Sequence, residues 1–236
     1  MVVRGVLCRG RIRDSGRRFG GTSNGDTVKI LFVSDTVVAQ LENAANLRRR
    51  YADVRLVVSC GDMSAAYLEF ITSVLGVPLF YVRGNHDEMY DQEPPGGIDL
   101  HRKVVEFEGL TFAGIEGSIR YNQGSIQYDD WQVANMVIRF GPSLLPRCYR
   151  KGFGVDVLVT HSPPRGIHDL EDRPHHGMRA LLWFMRWYRP RYMVHGHVHT
   201  YDNRIKTRTD YEHTHIVNIN PYNVLDIEPV TRIEAH

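Results

Sequence analysis

The chain has 236 residues, 42% hydrophobic and 24% charged, with a formal net charge of +2. That length can bury a full core in one globular domain, and the near-neutral balance gives no whole-chain case for nucleic-acid binding, which draws on a concentrated basic excess. Three cysteines (Cys8, Cys60, Cys148) suit a reducing compartment, no apolar run is long enough to span a bilayer, and no secretory signal is recognisable, so a cytoplasmic protein without a membrane partner is expected.

Residues 1–25 form a basic extension rich in arginine and glycine, including Arg4, Arg9, Arg11, Arg13, Arg17 and Arg18. Three readings compete: a mobile tail, an arm that packs on a partner subunit to build a homodimer, or an upstream start. Val2 to Leu7 has the pattern of an edge strand. A nucleic-acid-binding arm is the weaker alternative, because most charge runs are solvated surface.

Residues 26–236 read as one α/β domain. Val28 to Val33 is a buried strand and Val38 to Arg50 a helix, with Leu41, Ala44, Ala45 and Leu47 inward. Leu56 to Cys60 is the next strand. Ser64 caps a helix in which Tyr67, Leu68, Phe70, Ile71 and Val74 recur at helical spacing. Pro78 to Val82 completes a βαβαβ opening, the signature of a parallel core. Val104 to Ala113 reads as a hairpin turning at Glu108-Gly109. Asp130 to Phe140 is a helix, Gly141 to Gly154 a basic loop containing prolines, and Val155 to Thr160 a strand. Gly177 to Tyr188 is an apolar helix stopped by Pro190. Tyr192 to His195 is a strand. Ile216 to Asn220 and Val224 to Ile227 read as a closing pair around a turn at Pro221-Tyr222-Asn223. Two mixed sheets packed face to face, flanked by helices, accommodate both halves.

Five short segments follow the apolar runs: Ser34-Asp35-Thr36-Val37, Cys60-Gly61-Asp62, Gly84-Asn85-His86-Asp87, Thr160-His161-Ser162 and Gly196-His197-Val198-His199. The C-terminal ends of strands are where open α/β sheets hold their ligands. Asp35 and Asp62 offer carboxylate oxygen, Asn85 an amide oxygen, and His161, His197 and His199 imidazole nitrogen. Mixed oxygen and nitrogen donors without thiolate suit manganese, iron or zinc. A lone Asp after a strand often caps the next helix, as Asp35 could do before Val38. His195 should point away from the motif by strand alternation.

In this order the segments resemble the motifs of the calcineurin-like metallophosphoesterases: Asp-x-His, Gly-Asp, Gly-Asn-His-Asp/Glu, a lone His, and Gly-His-x-His. Gly61-Asp62 alone is a common turn; the Gly-Asn-His-Asp and Gly-His-x-His segments are far more specific. The resemblance implies a four-layer αββα sandwich and two divalent ions, manganese first, with iron and zinc as alternatives. It implies that Asp62 bridges both ions, that Asp35 and His199 complete the first site, and that Asn85, His161 and His197 complete the second. A hydroxide activated by the metals would attack phosphorus. His86 would face the leaving-group oxygen as general acid or cationic stabiliser, and Asp87 would orient its loop.

The chain departs from that pattern at Val37, where the family has a histidine ligand. His161 to Asp169 resembles the His-x-Pro-Pro-x-Gly loop of small bacterial and archaeal members. His168 ranks first as a replacement ligand or supporting group, ahead of His176 and His213. Arg165 is the arginine best placed for phosphate, since a guanidinium matches phosphate bidentately. Tyr128, Trp131 and Tyr201 could stack on a base, although packing is the commoner role for aromatics. Loss of the substrate-side histidine points to small organic, nucleotide-like or cyclic phosphodiesters. A phosphomonoesterase or protein phosphatase is the runner-up. The rival of another class is a non-catalytic scaffold, as the fold serves in the retromer complex.

Overall fold

The computed structural model describes residues 27–199 and 206–230. The basic extension, with its candidate strand and subunit arm, and Tyr201 lie outside the described residues.

In chain order the elements are β1 (Val28–Val33), α1 (Ala44–Arg50), β2 (Leu56–Ser59), α2 (Ala65–Leu75), β3 (Leu79–Tyr81) and β4 (Ile98–Asp99). A hairpin of β5 (Val104–Phe107) and β6 (Leu110–Ile115) follows, then the short β7 (Ser118–Ile119) and β8 (Gln127–Tyr128). Next come α3 (Asp130–Arg139), α4 (Gly141–Lys151), β9 (Val157–Thr160), α5 (Arg179–Tyr188) and β10 (Tyr192–His195). The described chain closes with β11 (Arg208–Tyr211), β12 (Thr214–Asn218) and β13 (Tyr222–Ile227). One sheet runs β13-β1-β2-β3-β4, the other β11-β12-β10-β9-β6-β5.

Strand alternation builds three cores. Ile30, Phe32, Leu56, Val58 and Phe80 of the first sheet face Phe112, Val157, Val159 and Val194 of the second. The residues between them point outward: Leu31, Val33, Val57 and Leu79 pack with Leu47, Leu68 and Ile71 of α1 and α2. Ala113, Leu158 and Met193 pack with Val133, Leu144, Leu181 and Phe184 of α3, α4 and α5. The period of two along each strand therefore produces the four-layer order helix, sheet, sheet, helix. Each large apolar side chain buried in it contributes roughly 1.5–3 kcal/mol.

Three expectations are corrected. The first helix starts at Ala44, because Asn43 caps it, its side chain accepting the Asn46 amide; 38–42 is loop. The segment after Phe140 is not a loop but α4. Pro142 lies in the first turn, where its missing N–H costs nothing. Leu144 and Cys148 bury one face, and Gly152 ends the helix in the left-handed conformation. The last two strands do not pair with each other. β12 joins β10 and β11, whereas β13 crosses to the other sheet and runs antiparallel to β1. Both strands have an apolar face to bury, and their periodicity does not say in which sheet.

Candidate metal centre

The motif residues gather at one edge. Asp35, Asp62 and Asn85 follow β1, β2 and β3, neighbours in the first sheet; His161 and His197 follow β9 and β10, neighbours in the second. The loops are packed tightly enough to need glycine. A Cβ on Gly84 would meet Asp62 Oδ1 at 2.0 Å, and one on Gly196 would meet Asp35 Oδ2 at 2.4 Å. Asp35 and Asp62 both turn with positive φ, 62° and 54°, a region that Asp tolerates better than most residues. Asp35 does not cap a helix. Its Oδ2 accepts the His197 amide at 2.9 Å, tying the first sheet to the second.

Asp62, His161 and His197 place one ligand atom each within 4.8 Å of one another. His161 Nδ1 lies 2.8 Å from the Cys60 carbonyl, which can only accept, so Nδ1 carries a proton. Its Nε2 then faces Asn85 Oδ1 at 3.0 Å and Asp62 Oδ2 at 3.4 Å. The Asn85 amide is oriented by Nδ2, which donates to the Tyr121 hydroxyl at 3.1 Å. One ring nitrogen and two oxygens thus converge with no hydrogen among them unless a positive charge supplies one. In the metal-free protein that charge is a proton. Burial pulls the His161 imidazole down, but the Asp62 charge and hydrogen bond outweigh it and raise its pKa to about 9. For Asp62, burial favours the neutral acid, yet His161 and the His86 amide hold the carboxyl below the usual range. A divalent ion fits the same place and satisfies all three lone pairs, and the oxygen–nitrogen donor set is that of a transition-metal site.

His197 is ready to ligate without losing a proton from its free nitrogen. Its Nε2 donates to the Pro174 carbonyl at 2.8 Å, leaving Nδ1 as the lone pair. Burial, with the nearby His161 charge, holds its pKa down to about 3. Asp87 braces the centre from behind. One oxygen of its carboxylate accepts the amides of Asp62 at 2.8 Å and Gly84 at 2.7 Å. Burial still pushes that carboxyl up to about 6. The His86 amide donates to Asp62 Oδ1 at 2.9 Å, and its side chain is exposed.

The flank around Asp35 and His199 is looser. Asp35 and His199 are half-buried and lie outside the tight three-residue cluster. Val37 is 46% exposed. His168 turns away from the cluster. Its Nδ1 lies 3.0 Å from His195 Nε2 and its Nε2 lies 2.9 Å from the Thr209 hydroxyl, so both ring nitrogens are engaged. His195 in turn bonds the Gly196 carbonyl through Nδ1. Arg165 Nη1 is held by Asp169 at 3.0 Å, and Asp169 also accepts the Gly166 and Gly177 amides. His213 sits in the turn before β12, which runs parallel to β10, and so lies at the opposite edge from the centre. Tyr128 bonds Glu116 and stacks on His101, a packing role. Trp131 is exposed on α3.

Sequence reasoning missed His175. Its ring lies 5.1 Å from the His197 ring, and its Nδ1 is 2.5 Å from Asp172 Oδ2. The Asp-x-x-His spacing was the available signal; its approach to His197 is a tertiary contact that no local pattern encodes.

Comparison with known proteins agrees with this geometry. The family model of the calcineurin-like phosphoesterases matches residues 28–201. No curated protein matches the sequence. Many solved structures share the fold, two of them over most of their own length. One, at 17% identity and a TM-score of 0.61, aligns over 85% of this chain and 95% of its own. The other, TT1561 of Thermus thermophilus, has 13% identity and a TM-score of 0.54, over 82% of this chain and 89% of its own. Among the described residues no helix is long and apolar enough to cross a membrane. The family hydrolyses phosphoesters at a divalent metal centre, and the Asp62, His161 and His197 cluster is a fitting place for it here. By its motifs, its four-layer sandwich and the family match, the chain belongs to the calcineurin-like phosphoesterases and is a metallophosphoesterase hydrolase.

Proposed function

We propose that the chain is a phosphodiesterase acting on small organic, nucleotide-like or cyclic phosphodiesters in the cytoplasm. The observation that carries this reading is the asymmetry of the centre: a buried, fully braced ligand set around His161 beside an open flank where Val37 stands. A monoester dianion needs more positive charge around its extra oxygen than a diester monoanion does. An apolar residue on that flank therefore favours the diester.

In this reading the chain would hold two ions, manganese being the first candidate for the mixed oxygen and nitrogen donor set. Asp62 would serve both; Asp35 and His199 would complete the first set of ligands, and Asn85, His161 and His197 the second. When bound, the ions supply Lewis-acid charge and a strong nucleophile from water near neutral pH. The side chains do the rest. The His86 ring, exposed beside Asp62, gives a proton to the departing alcohol oxygen. Tyr121 keeps Asn85 Oδ1 aimed inward, and Asp87 holds the loops after β2 and β3 in place. Arg165, on a loop fixed by Asp169, is the candidate phosphate contact.

Parallel assays of the manganese-loaded protein on bis(4-nitrophenyl) phosphate and 4-nitrophenyl phosphate test the proposal. Higher kcat/KM on the diester is expected; faster monoester turnover overturns it.

A further inference from the structure

The flank opened at Val37 is not simply a gap. A pocket of about 400 Å³ lies there, lined by Val37, Glu42, Ser64, Ala66, Tyr67 and Phe70. Two of its walls continue the loops that carry candidate ligands: Val37 is two residues beyond Asp35 and Ser64 two residues beyond Asp62. Its walls are held in place. Ser64 caps α2, its hydroxyl accepting the Tyr67 amide at 3.3 Å, and the Tyr67 hydroxyl accepts the Val38 amide at 3.3 Å. The β1–α1 loop is therefore pinned to α2 across the pocket. Phe70 has the spacing of a core residue, yet it is 37% exposed, while its neighbours Tyr67, Leu68 and Ile71 are buried. Val37 and Phe70 thus present apolar surface beside a polar centre, and Glu42 supplies a negative charge at the rim.

We propose that this pocket receives the apolar alcohol portion of the substrate, an aryl or branched alkyl group esterified to the phosphate held at the metal centre. The inference rests on the diesterase reading and narrows it. Val37 and Phe70 grip the organic group, and Glu42 repels substrates that carry a second phosphate at this position. Small apolar pockets beside a few fixed polar groups are the usual form of such specificity sites.

The test measures binding of two non-hydrolysable probes, diphenylphosphinate and dimethylphosphinate, which carry P–C bonds in place of both ester bonds, to the manganese-loaded full chain by titration calorimetry. Diphenylphosphinate should bind at least about tenfold more tightly, from the apolar area it hides. In Phe70→Ala that ratio should fall about fivefold, and in Val37→Asp it should fall further. Far-ultraviolet circular dichroism on both variants checks that they fold, and Phe70 is exposed enough for its truncation to be tolerated. Equal affinity for the two probes, or a ratio that Phe70→Ala leaves unchanged, overturns the pocket. Failure of the diesterase reading looks different: diphenylphosphinate still binds preferentially, but no diester is hydrolysed faster than its monoester.

Discussion

Two histidine pairs stand at the same sheet edge and behave in opposite ways. His161 and His197 lie with ring centroids 4.7 Å apart, His168 and His195 5.2 Å apart. In the second pair every lone pair meets a proton. His195 Nδ1 donates to Gly196, His195 Nε2 accepts from His168, and His168 Nε2 accepts from Thr209. Burial without a nearby carboxylate drives both rings towards neutrality, with pKa values of about 4 for His168 and about 3 for His195. In the first pair, His161 turns its open nitrogen toward the oxygens of Asp62 and Asn85, and its affinity for a proton rises. Here the pair whose lone pair converges with carboxylate and amide oxygens is the candidate metal site, and the other pair closes on itself as a hydrogen-bonded brace.

That contrast can be broken most severely at Asp62. Asp62→Asn removes the charge that makes the first pair different, and both metal content and diesterase activity should fall by more than the roughly 100-fold that supporting partners are worth. Metal analysis after gel filtration, with steady-state rates, checks it. Undiminished activity would sink the assignment of Asp62.

The next largest effect is that of pH. Below about 9 the metal-free His161 ring holds a proton that an ion must displace. Apparent affinity should therefore climb about tenfold per pH unit up to that value, with about one proton released per ion at neutral pH. Calorimetry in buffers of different ionisation heat reads the proton directly. The sign for folding is opposite. The raised pKa adds stability to the metal-free protein that is complete below the ordinary value of 6.5 and is lost as pH rises through about 9.

A smaller change follows from Tyr121→Phe. It frees Asn85 Nδ2 and lets the amide turn its oxygen away, so metal affinity should drop about tenfold while the melting temperature barely moves. An unchanged affinity would mean that Asn85 is aimed by something else. His168→Ala should affect metal affinity least, by less than about threefold. It leaves His195 without its donor and should cost about 1–3 kcal/mol of stability in urea unfolding. A large loss of metal in this variant would show that the second pair reaches the centre after all.

Much of this was legible in the sequence. The continuous apolar, β-branched runs at Val28–Val33, Leu56–Ser59 and Val157–Thr160 read as buried strands, and residues just after strands formed the cluster. Two kinds of feature were not. Pro142 and Pro146 made α4 look like a loop, although a proline in the first turn is compatible with a helix. The partners of β12 and β13, and the approach of His175 to His197, depend on contacts distant in sequence. His168 illustrates the same limit: its loop position beside His161 suggested a spare ligand, but the direction of its ring was decided by His195 and Thr209.

The Asp87 carboxylate, shared by the amides of Asp62 and Gly84, has a kinetic consequence. It fuses the loops after two adjacent strands into one stiff body before any ion arrives. Capture of a metal then requires little rearrangement of the backbone, and the remaining barrier, loss of the His161 proton, is common to all competing ions. Selectivity between competing ions must accordingly be expressed in how slowly each one leaves, and the ion carried in the cell will reflect residence time more than speed of entry.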